Sequence, residues 1–224
     1  MRVQSVQQIS SNICYGSELQ SEEEVEERLT INRIIRFKTL TSLDVLIIIF
    51  FAWVIHEKTV VSVNLSSQDL FDPALKRTLG EAIRENELSY GDLKLEIRES
   101  VCAENKFQIF DIVENLRRAG YEIRIDNFGS ENGALSVLSS ITVDGLKLDR
   151  SAISEMEQDE KASRLVDLIL ETAGYLKLPV IAVDVETESQ LRLLKKKGCA
   201  FAQGHYFSRP LPVQEFEARF LSRS

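Results

Sequence analysis

The sequence predicts an α/β fold in which strands and helices alternate around an eight-stranded (β/α)8 barrel. Beyond residue 58, short apolar segments alternate with amphipathic ones, and the pair repeats six times in units of roughly 20–35 residues. Such repeats are typical of parallel strands joined by right-handed crossovers. Residues 2–9 and 13–19 flank a turn-prone Ser-Ser-Asn and predict an antiparallel hairpin. Two hairpin strands and six repeats give eight strands.

The individual elements are predicted from periodicity and from their end signals. Strands are expected where apolar runs are bounded by turn residues, at residues 60–64, 93–97, 121–126, 144–149, 179–183 and 200–204. Helices are expected where apolar residues recur at helical spacing, at Leu75, Leu79 and Ile83, at Phe110, Val113 and Leu116, at Leu135 to Leu138, and at Leu165, Ile169 and Leu176. Residues 66–69 and 187–190 resemble capping boxes, while Gly120 and Gly198 end helices.

Composition narrows the class of protein. The 224 residues are 44% hydrophobic, which suffices for the core of one large domain. A net charge of -8 argues against non-specific binding to nucleic acid or to an anionic membrane. The three cysteines lack CxxC spacing and follow no signal peptide, which predicts reduced thiols in a cytoplasmic protein.

One strongly apolar stretch, residues 45–55, leaves two interpretations open. Its length is well below the roughly 20 apolar residues that a membrane span needs. A buried helix is one interpretation, and a partly exposed face that binds a partner is the other. No membrane partner is expected from either.

A polar residue closes most of the predicted repeats. These residues are Asn64, Glu96, Asp126, Lys147 and Gln203. The carboxyl ends of the strands of a (β/α)8 barrel meet at one mouth, where active sites are built. Oxygen ligands with one cation suit a hard divalent metal and a phosphate, so the sequence predicts a site of that kind.

Six motifs resemble those of the EAL domain, the cyclic di-GMP phosphodiesterase family. They read SVNLS, LEIRES, IDNFG, LKLDRS, VDVET and AQGHYFSRPLP, in family order from about Val61 onward. The resemblance implies a modified TIM (β/α)8 barrel with an antiparallel first strand, and hydrolysis of cyclic di-GMP with two Mg²⁺ or Mn²⁺ ions. It also implies a single EAL-like domain over residues 1–224, made of an N-terminal β-hairpin (1–22), a shortened helical segment (23–59) and the β/α repeats (60–224).

The resemblance also implies roles for particular residues. Lys147 corresponds to the lysine that contacts the attacking water or phosphate, and Glu99 and Glu186 to acids that brace the loop after Asp126. The implied metal ligands are Glu18, Asn64, Glu96 and Asp126. Cyclic di-GMP, if it binds, is expected to contact Gln4, Asn64, Asp126, Gln203 and Pro210.

The chain departs from the family pattern at ligands of the second metal ion and at one phosphate contact. Asn127 stands where the family has a second aspartate, and Val183 stands where it has a metal-binding glutamate. Asp184, one residue along, is expected to point to the other face of an ideal strand. Glu22 replaces an arginine that grips the ligand phosphate. The resemblance therefore leaves one remnant site, for a single Mg²⁺, Mn²⁺ or Ca²⁺, and no required cofactor.

Three hypotheses follow. In the first, the chain is a catalytically inactive regulator that binds another protein, as degenerate family members bind transcriptional or motility regulators. In the second, it is a non-catalytic cyclic di-GMP receptor. In the third, it is a working phosphodiesterase whose second metal site is rebuilt by Asp184 or by water. Direct binding of nucleic acid is expected in none of them.

Overall fold

The computed structural model of the chain describes most of the predicted repeat region and short pieces of the rest. It covers residues 60–85, 88–130 and 134–209, with 6–8, 31–32, 36–37, 211, 215 and 218. The predictions for Gln4, Glu18, Glu22, Pro210 and residues 45–55 therefore lie outside the described residues.

The described strands form one sheet. They are β1 (Val6–Gln8), β2 (Ile31–Asn32), β3 (Arg36–Phe37), β4 (Val61–Leu65), β5 (Leu93–Arg98), β6 (Glu122–Phe128), β7 (Gly145–Leu148), β8 (Val180–Ala182) and β9 (Phe201–Gln203). Their order is β2-β1-β9-β8-β7-β6-β5-β4-β3. Neighbouring strands from β3 to β9 are parallel, whereas β1 is antiparallel to both β2 and β9.

The N-terminal pairing differs in detail from the predicted hairpin. Both edges of β1 are hydrogen-bonded, because Val6 is in register with Asn32 on one side and with Gln203 on the other. Residues 13–19, the second strand of the predicted hairpin, lie outside the described residues. Strands β2 and β3 both fall inside the segment 23–59, which the resemblance predicted as helical. They are too short for periodicity to indicate them.

The helices alternate with the parallel strands, as the repeat pattern predicts. They are α1 (Ser67–Leu70), α2 (Leu75–Glu85), α3 (Glu99–Glu104), α4 (Lys106–Arg118), α5 (Ala134–Ser140), α6 (Arg150–Glu155), α7 (Glu160–Leu176) and α8 (Glu188–Lys196). Both predicted capping boxes form, at Ser66 with Asp69 and at Thr187 with Gln190. None of the helices in the described part of the chain is both long and apolar enough to cross a membrane.

The buried faces of two helices agree with the prediction in part. On α7 the predicted Ile169 is buried, together with Val166 and Ala173, whereas Leu165 and Leu176 are about half exposed. On α4 the predicted Val113 and Leu116 are buried, whereas Phe110 is exposed. Periodicity alone did not separate these exposed apolar residues from the buried ones. The helices therefore carry apolar residues on their outer faces.

The two faces of the sheet have different chemistry. One face contributes Val63, Leu95, Ile123 and Leu146 to the main hydrophobic core. Side chains alternate along a strand, so the intervening residues share the opposite face. That face is polar and largely buried, with residues that include Ser62, Lys94, Glu96, Asp126, Lys147 and Gln203. A polar face of this kind has to satisfy its charges internally.

Candidate functional site

The site residues lie near the carboxyl ends of neighbouring strands. Asn64 of β4 and Glu96 of β5 are register partners. Asp126 follows on β6, in register with Arg98. Lys147 lies on β7, and Gln203 is the last residue of β9. The parallel topology brings these side chains to one end of the sheet, on its polar face.

A buried ion pair forms the centre of this arrangement. The Lys147 ammonium donates a hydrogen bond of 2.7 Å to Oε2 of Glu96 and lies 3.6 Å from Oδ1 of Asp126. At most 2% of any of the three side chains is exposed. Removal from water makes an ion pair strong, but leaves either partner costly to bury alone. Lys147 therefore holds the two acids in place.

A bulge in β6 sets the position of the Asp126–Asn127 pair. The pairing of β6 with β7 shifts register between Ile125 and Phe128, and Asn127 has a left-handed backbone with φ of 57°. Asparagine, aspartate and glycine tolerate this conformation better than other residues. The amide at position 127 therefore suits the backbone of the turn, while it supplies no negative charge.

Glu99 holds the turn that follows. Its buried Oε2 accepts a hydrogen bond of 2.8 Å from the amide N–H of Gly129. Gly129 has a φ of 88°, which favours glycine. A Cβ at this position would lie 3.1 Å from Cδ1 of Ile169. This contact has the form that the resemblance implies for Glu99, a brace on the loop after Asp126.

Glu186 has a different described contact. Its carboxylate is substantially exposed and lies 3.4 Å from Nη2 of Arg150, at the start of α6. Its backbone N–H donates to Oε1 of Gln190. Residues 131–133 of the loop that it is implied to brace lie outside the described residues. The bracing role of Glu186 therefore stays a prediction.

The segment after β8 departs from the geometry assumed for it. The strand ends at Ala182, one residue before Val183, and Asp184 has a left-handed φ of 54°. The ideal-strand geometry assumed for Asp184 does not apply, because the strand has already ended and the chain has turned. Val183 is buried in an apolar cluster with Ile181, against which Phe201 packs. An apolar cluster thus occupies the position at which the family has a glutamate.

Gly204 was predicted only as a strand boundary, yet it determines how this segment meets β9. Val185 donates through its N–H to the carbonyl of Gln203 and accepts from the N–H of Tyr206. A Cβ on Gly204 would lie 2.0 Å from the carbonyl oxygen of Val185. No side chain fits there, so glycine is required for the two segments to approach. The AQG motif contained this signal, but no spacing rule identified it.

Arg124 is a second residue that the sequence analysis missed. It lies two residues before Asp126 on the polar face, in register with Glu96 on one side and Gly145 on the other. Within the described part of the chain, its Nε and Nη1 atoms are buried without a hydrogen-bond partner. Burial lowers the pKa of its guanidinium, while Glu96, Glu122 and Asp144 act to raise it. The signal in the sequence was the alternation of polar and apolar residues in EIRID, which places Arg124 on the same strand face as Asp126.

The described residues supply part of the ligand set of a divalent metal site. Glu96 and Asp126 offer carboxylate oxygens and Asn64 an amide, which are the ligands that Mg²⁺ and Mn²⁺ prefer. However, no group of three His, Cys, Asp or Glu side chains suited to a metal occurs in the ranges that the structure describes. The Lys147 ammonium, moreover, lies in contact with both carboxylates. A metal site completed by Glu18 stays a prediction.

The fold and the site together define a TIM-like α/β barrel with acids and a lysine buried at the mouth. The profile of the EAL domain matches residues 34–210. The chain therefore belongs to the EAL domain family. The match includes Asn64, Glu96, Asp126, Lys147 and Gln203, whereas Gln4 and Glu18 lie outside it.

Known relatives support the assignment. The chain is 33% identical over 162 residues to the cyclic di-GMP phosphodiesterase NbdA of Pseudomonas aeruginosa, which covers 72% of this chain and 21% of that protein. It spans about a fifth of the length of the first curated relatives that it matches.

Solved structures confirm the predicted fold class. The EAL domain of DcpA from Mycobacterium smegmatis superimposes with a TM-score of 0.73 at 27% identity, covering 83% of this chain and 86% of that one. The phosphodiesterase PaMucR, in its complex with cyclic di-GMP, also gives 0.73 at 27% identity, covering 78% and 72% of the two chains.

Proposed function

We propose that this chain is a catalytically inactive EAL-domain regulator that acts by binding another protein, with transcriptional and motility regulators as candidate partners. The observation that carries the proposal is the surroundings of Val183. This side chain is 4% exposed and packs with Ile181 and Phe201. An apolar cluster can neither coordinate an ion nor hold an attacking water, so a second metal receives no ligand from position 183.

The charge of the site supports the same proposal. Two divalent ions held close together repel each other and need anionic ligands between and around them. Asn127 contributes a neutral amide where the family has a second aspartate, and Val183 contributes no charge where the family has a glutamate. These two positions thus offer no anionic ligand to a second ion.

Exposed apolar side chains support a role in protein binding. On α7, Leu165, Leu168, Tyr175 and Leu176 are between 47% and 81% exposed, and Phe107 at the start of α4 is 92% exposed. Exposed apolar residues grouped on one helix are typical of protein-binding surfaces. Cys102 and Cys199 are buried free thiols, which supports a cytoplasmic location for this regulator.

The first test of the proposal is a hydrolysis assay. Purified chain incubated with cyclic di-GMP and either Mg²⁺ or Mn²⁺ is expected to give no linear product above the level of a Glu96→Ala control. Linearisation by the wild type that is lost in Glu96→Ala would identify the chain as a phosphodiesterase and overturn the proposal.

The second test concerns the partner. Crosslinking in host cells is expected to trap one protein in stoichiometric amount, and the double variant Leu168→Asp/Tyr175→Asp is expected to reduce its recovery. The matched control is Arg164→Asp/Lys161→Asp, which changes exposed polar residues on the same helix. Equal recovery with both double variants would remove α7 as the binding surface. Absence of any stoichiometric partner would count against a regulatory role.

A second candidate function is that of a non-catalytic cyclic di-GMP receptor. It is favoured by the placement of Asn64, Asp126 and Gln203 on one polar face near the strand ends. The related PaMucR phosphodiesterase was solved in a complex with cyclic di-GMP. Calorimetric titration with cyclic di-GMP, with and without Mg²⁺, tests this function. Micromolar binding that Gln203→Ala weakens would support it, and no heat of binding would exclude it.

A further inference from the structure

Arg124 lies on the polar face of β6, two residues before Asp126 and so further from the carboxyl end of the strand. Its register partners are Glu96 and Gly145, and neighbouring strands lie about 4.8 Å apart. A Cβ on Gly145 would lie 3.5 Å from Cγ of Arg124, so the glycine leaves space for the arginine side chain. Arg124 thus lies directly beside Glu96, on the same face.

Two nitrogen atoms of the guanidinium, Nε and Nη1, are buried there without an acceptor among the described residues. Desolvation lowers its pKa, and the largest opposing attraction comes from Glu96. A guanidinium stays charged under such conditions, so it contributes a fixed positive charge to the site.

Two cations face the two carboxylates of the site. Lys147 is in contact with Glu96 and Asp126. Arg124 is the register partner of Glu96, and its Nε and Nη1 atoms are buried. A divalent ion that binds the two carboxylates lies close to both cations and is repelled by them.

We propose that Arg124 and Lys147 are internal counter-ions that take the place of metal charge at Glu96 and Asp126, and that Arg124 keeps the affinity of this mouth for divalent cations low. This inference rests on the proposed inactive function, because it concerns the same site. It explains how Glu96 and Asp126 are buried together. Arg124 is a positioning residue, since it acts through Glu96.

The test is a titration of the full chain with Mn²⁺, followed by water proton relaxation and by calorimetry, with no nucleotide and no partner present. Arg124→Met removes the charge and keeps the length of the side chain, and Arg124→Gln serves the same purpose if the methionine variant does not fold. Loss of one nearby buried charge is expected to tighten Mn²⁺ binding roughly tenfold or more. Arg124→Lys keeps the charge and is expected to bind Mn²⁺ as weakly as the wild type.

Two controls make the result specific. Arg118→Met removes an equally charged but exposed side chain at the end of α4, and is expected to change nothing. Glu96→Gln placed on Arg124→Met is expected to abolish the gained binding. Unchanged Mn²⁺ affinity in both Arg124→Met and Arg124→Gln would overturn the proposal, as would a gain that survives Glu96→Gln. Neither result depends on the hydrolysis and crosslinking tests. The inference about Arg124 and the proposed regulatory function can therefore be refuted independently of each other.

Discussion

The Lys147 ammonium and the Glu96 carboxylate lie 2.7 Å apart in a part of the barrel from which water is excluded. Each lies within the last three residues of its strand, and the two are 51 residues apart in sequence. The pair therefore stabilises the fold as well as the site. Its removal is expected to act first on stability.

Lys147→Met is expected to lower the free energy of unfolding by about 3–5 kcal/mol, because it leaves two buried carboxylates without their cation. Urea denaturation measures the change. The matched control is Arg192→Met, which breaks the exposed pair with Glu188 and is expected to cost about 1 kcal/mol or less. Equal losses of unfolding free energy in the two variants would show that the buried pair contributes no more to stability than the exposed pair. Adding Glu96→Gln to Lys147→Met should recover part of the loss.

Glu99→Ala is expected to release the turn at Gly129, because the variant removes the acceptor for its part-buried N–H. A fully buried group left unsatisfied costs about 1–3 kcal/mol, which sets an upper limit here. The readout is amide hydrogen exchange at Gly129, which should become faster by one order of magnitude or more. Glu99→Gln retains an acceptor oxygen and is expected to lie between the wild type and the alanine variant. Unchanged exchange in Glu99→Ala would contradict the bracing role.

Asn127→Ala is expected to destabilise the chain by about 1–2 kcal/mol, since alanine resists the left-handed backbone. Asn127→Asp and Asn127→Gly should be close to the wild type in thermal denaturation. Asn127→Asp alone should also fail to produce hydrolysis, because Val183 remains. Turnover in this single variant would show that the region around Val183 does not limit activity.

Val183→Glu places a carboxylate inside an apolar cluster and is expected to lower stability by about 2–4 kcal/mol. In combination with Asn127→Asp, the same change is the minimum expected to recover a second metal site. Mn²⁺ should then raise the thermal midpoint of the double variant but not of Val183→Met, the apolar control. If Mn²⁺ leaves the thermal midpoint of the double variant unchanged, the second metal site needs further ligands that this chain lacks.

The two described cysteines are expected to resist alkylation in the folded protein. Burial and then the charge of Glu99 raise the pKa of Cys102 to about 12, and burial raises that of Cys199 to about 11. Below pH 9 both thiols stay protonated in the folded and unfolded states, so their contribution to stability is complete. It is lost as the pH rises from about 9 toward 12, because the unfolded chain releases these protons first.

Peptide mapping after treatment with iodoacetamide at pH 8.5 measures the reactivity, and should show modification of Cys102 and Cys199 only in denaturant. Urea denaturation at pH 7 and pH 10 measures the stability, and the decline with pH should be smaller in Cys102→Ala. Rapid labelling of Cys102 in the folded protein would show that its surroundings are more open than described.

The repeat region was predictable because local signals and the fold agree there. Alternating runs located β5 and β6 within one or two residues, and Gly120 and Gly198 ended helices with positive φ as expected. The buried face of α7 was not predictable, since two apolar stripes compete in its sequence and only packing on the sheet selects one. Strands of two residues, such as β2 and β3, carry too little pattern to be recognised.

The proximity of three candidate residues was predictable, and their detailed geometry was not. Strand-end positions identified Glu96, Asp126 and Lys147, but the bulge before Phe128 and the turn at Asp184 depend on backbone conformations that spacing does not encode. Arg124 was missed because an arginine in a strand is usually exposed. Its register with Glu96 becomes visible only when β5 and β6 are paired.

The pairing of β1 with β9 has a consequence for the synthesis of the protein on the ribosome. Val6 is in register with Gln203, so β1 completes its pairing only after the chain between these two residues has been made. At about 5–20 residues per second, this strand waits roughly 10–40 seconds for its partner. During that interval the growing edge of the sheet stays open at β8, and a chaperone that shields it is expected to raise the yield of native protein.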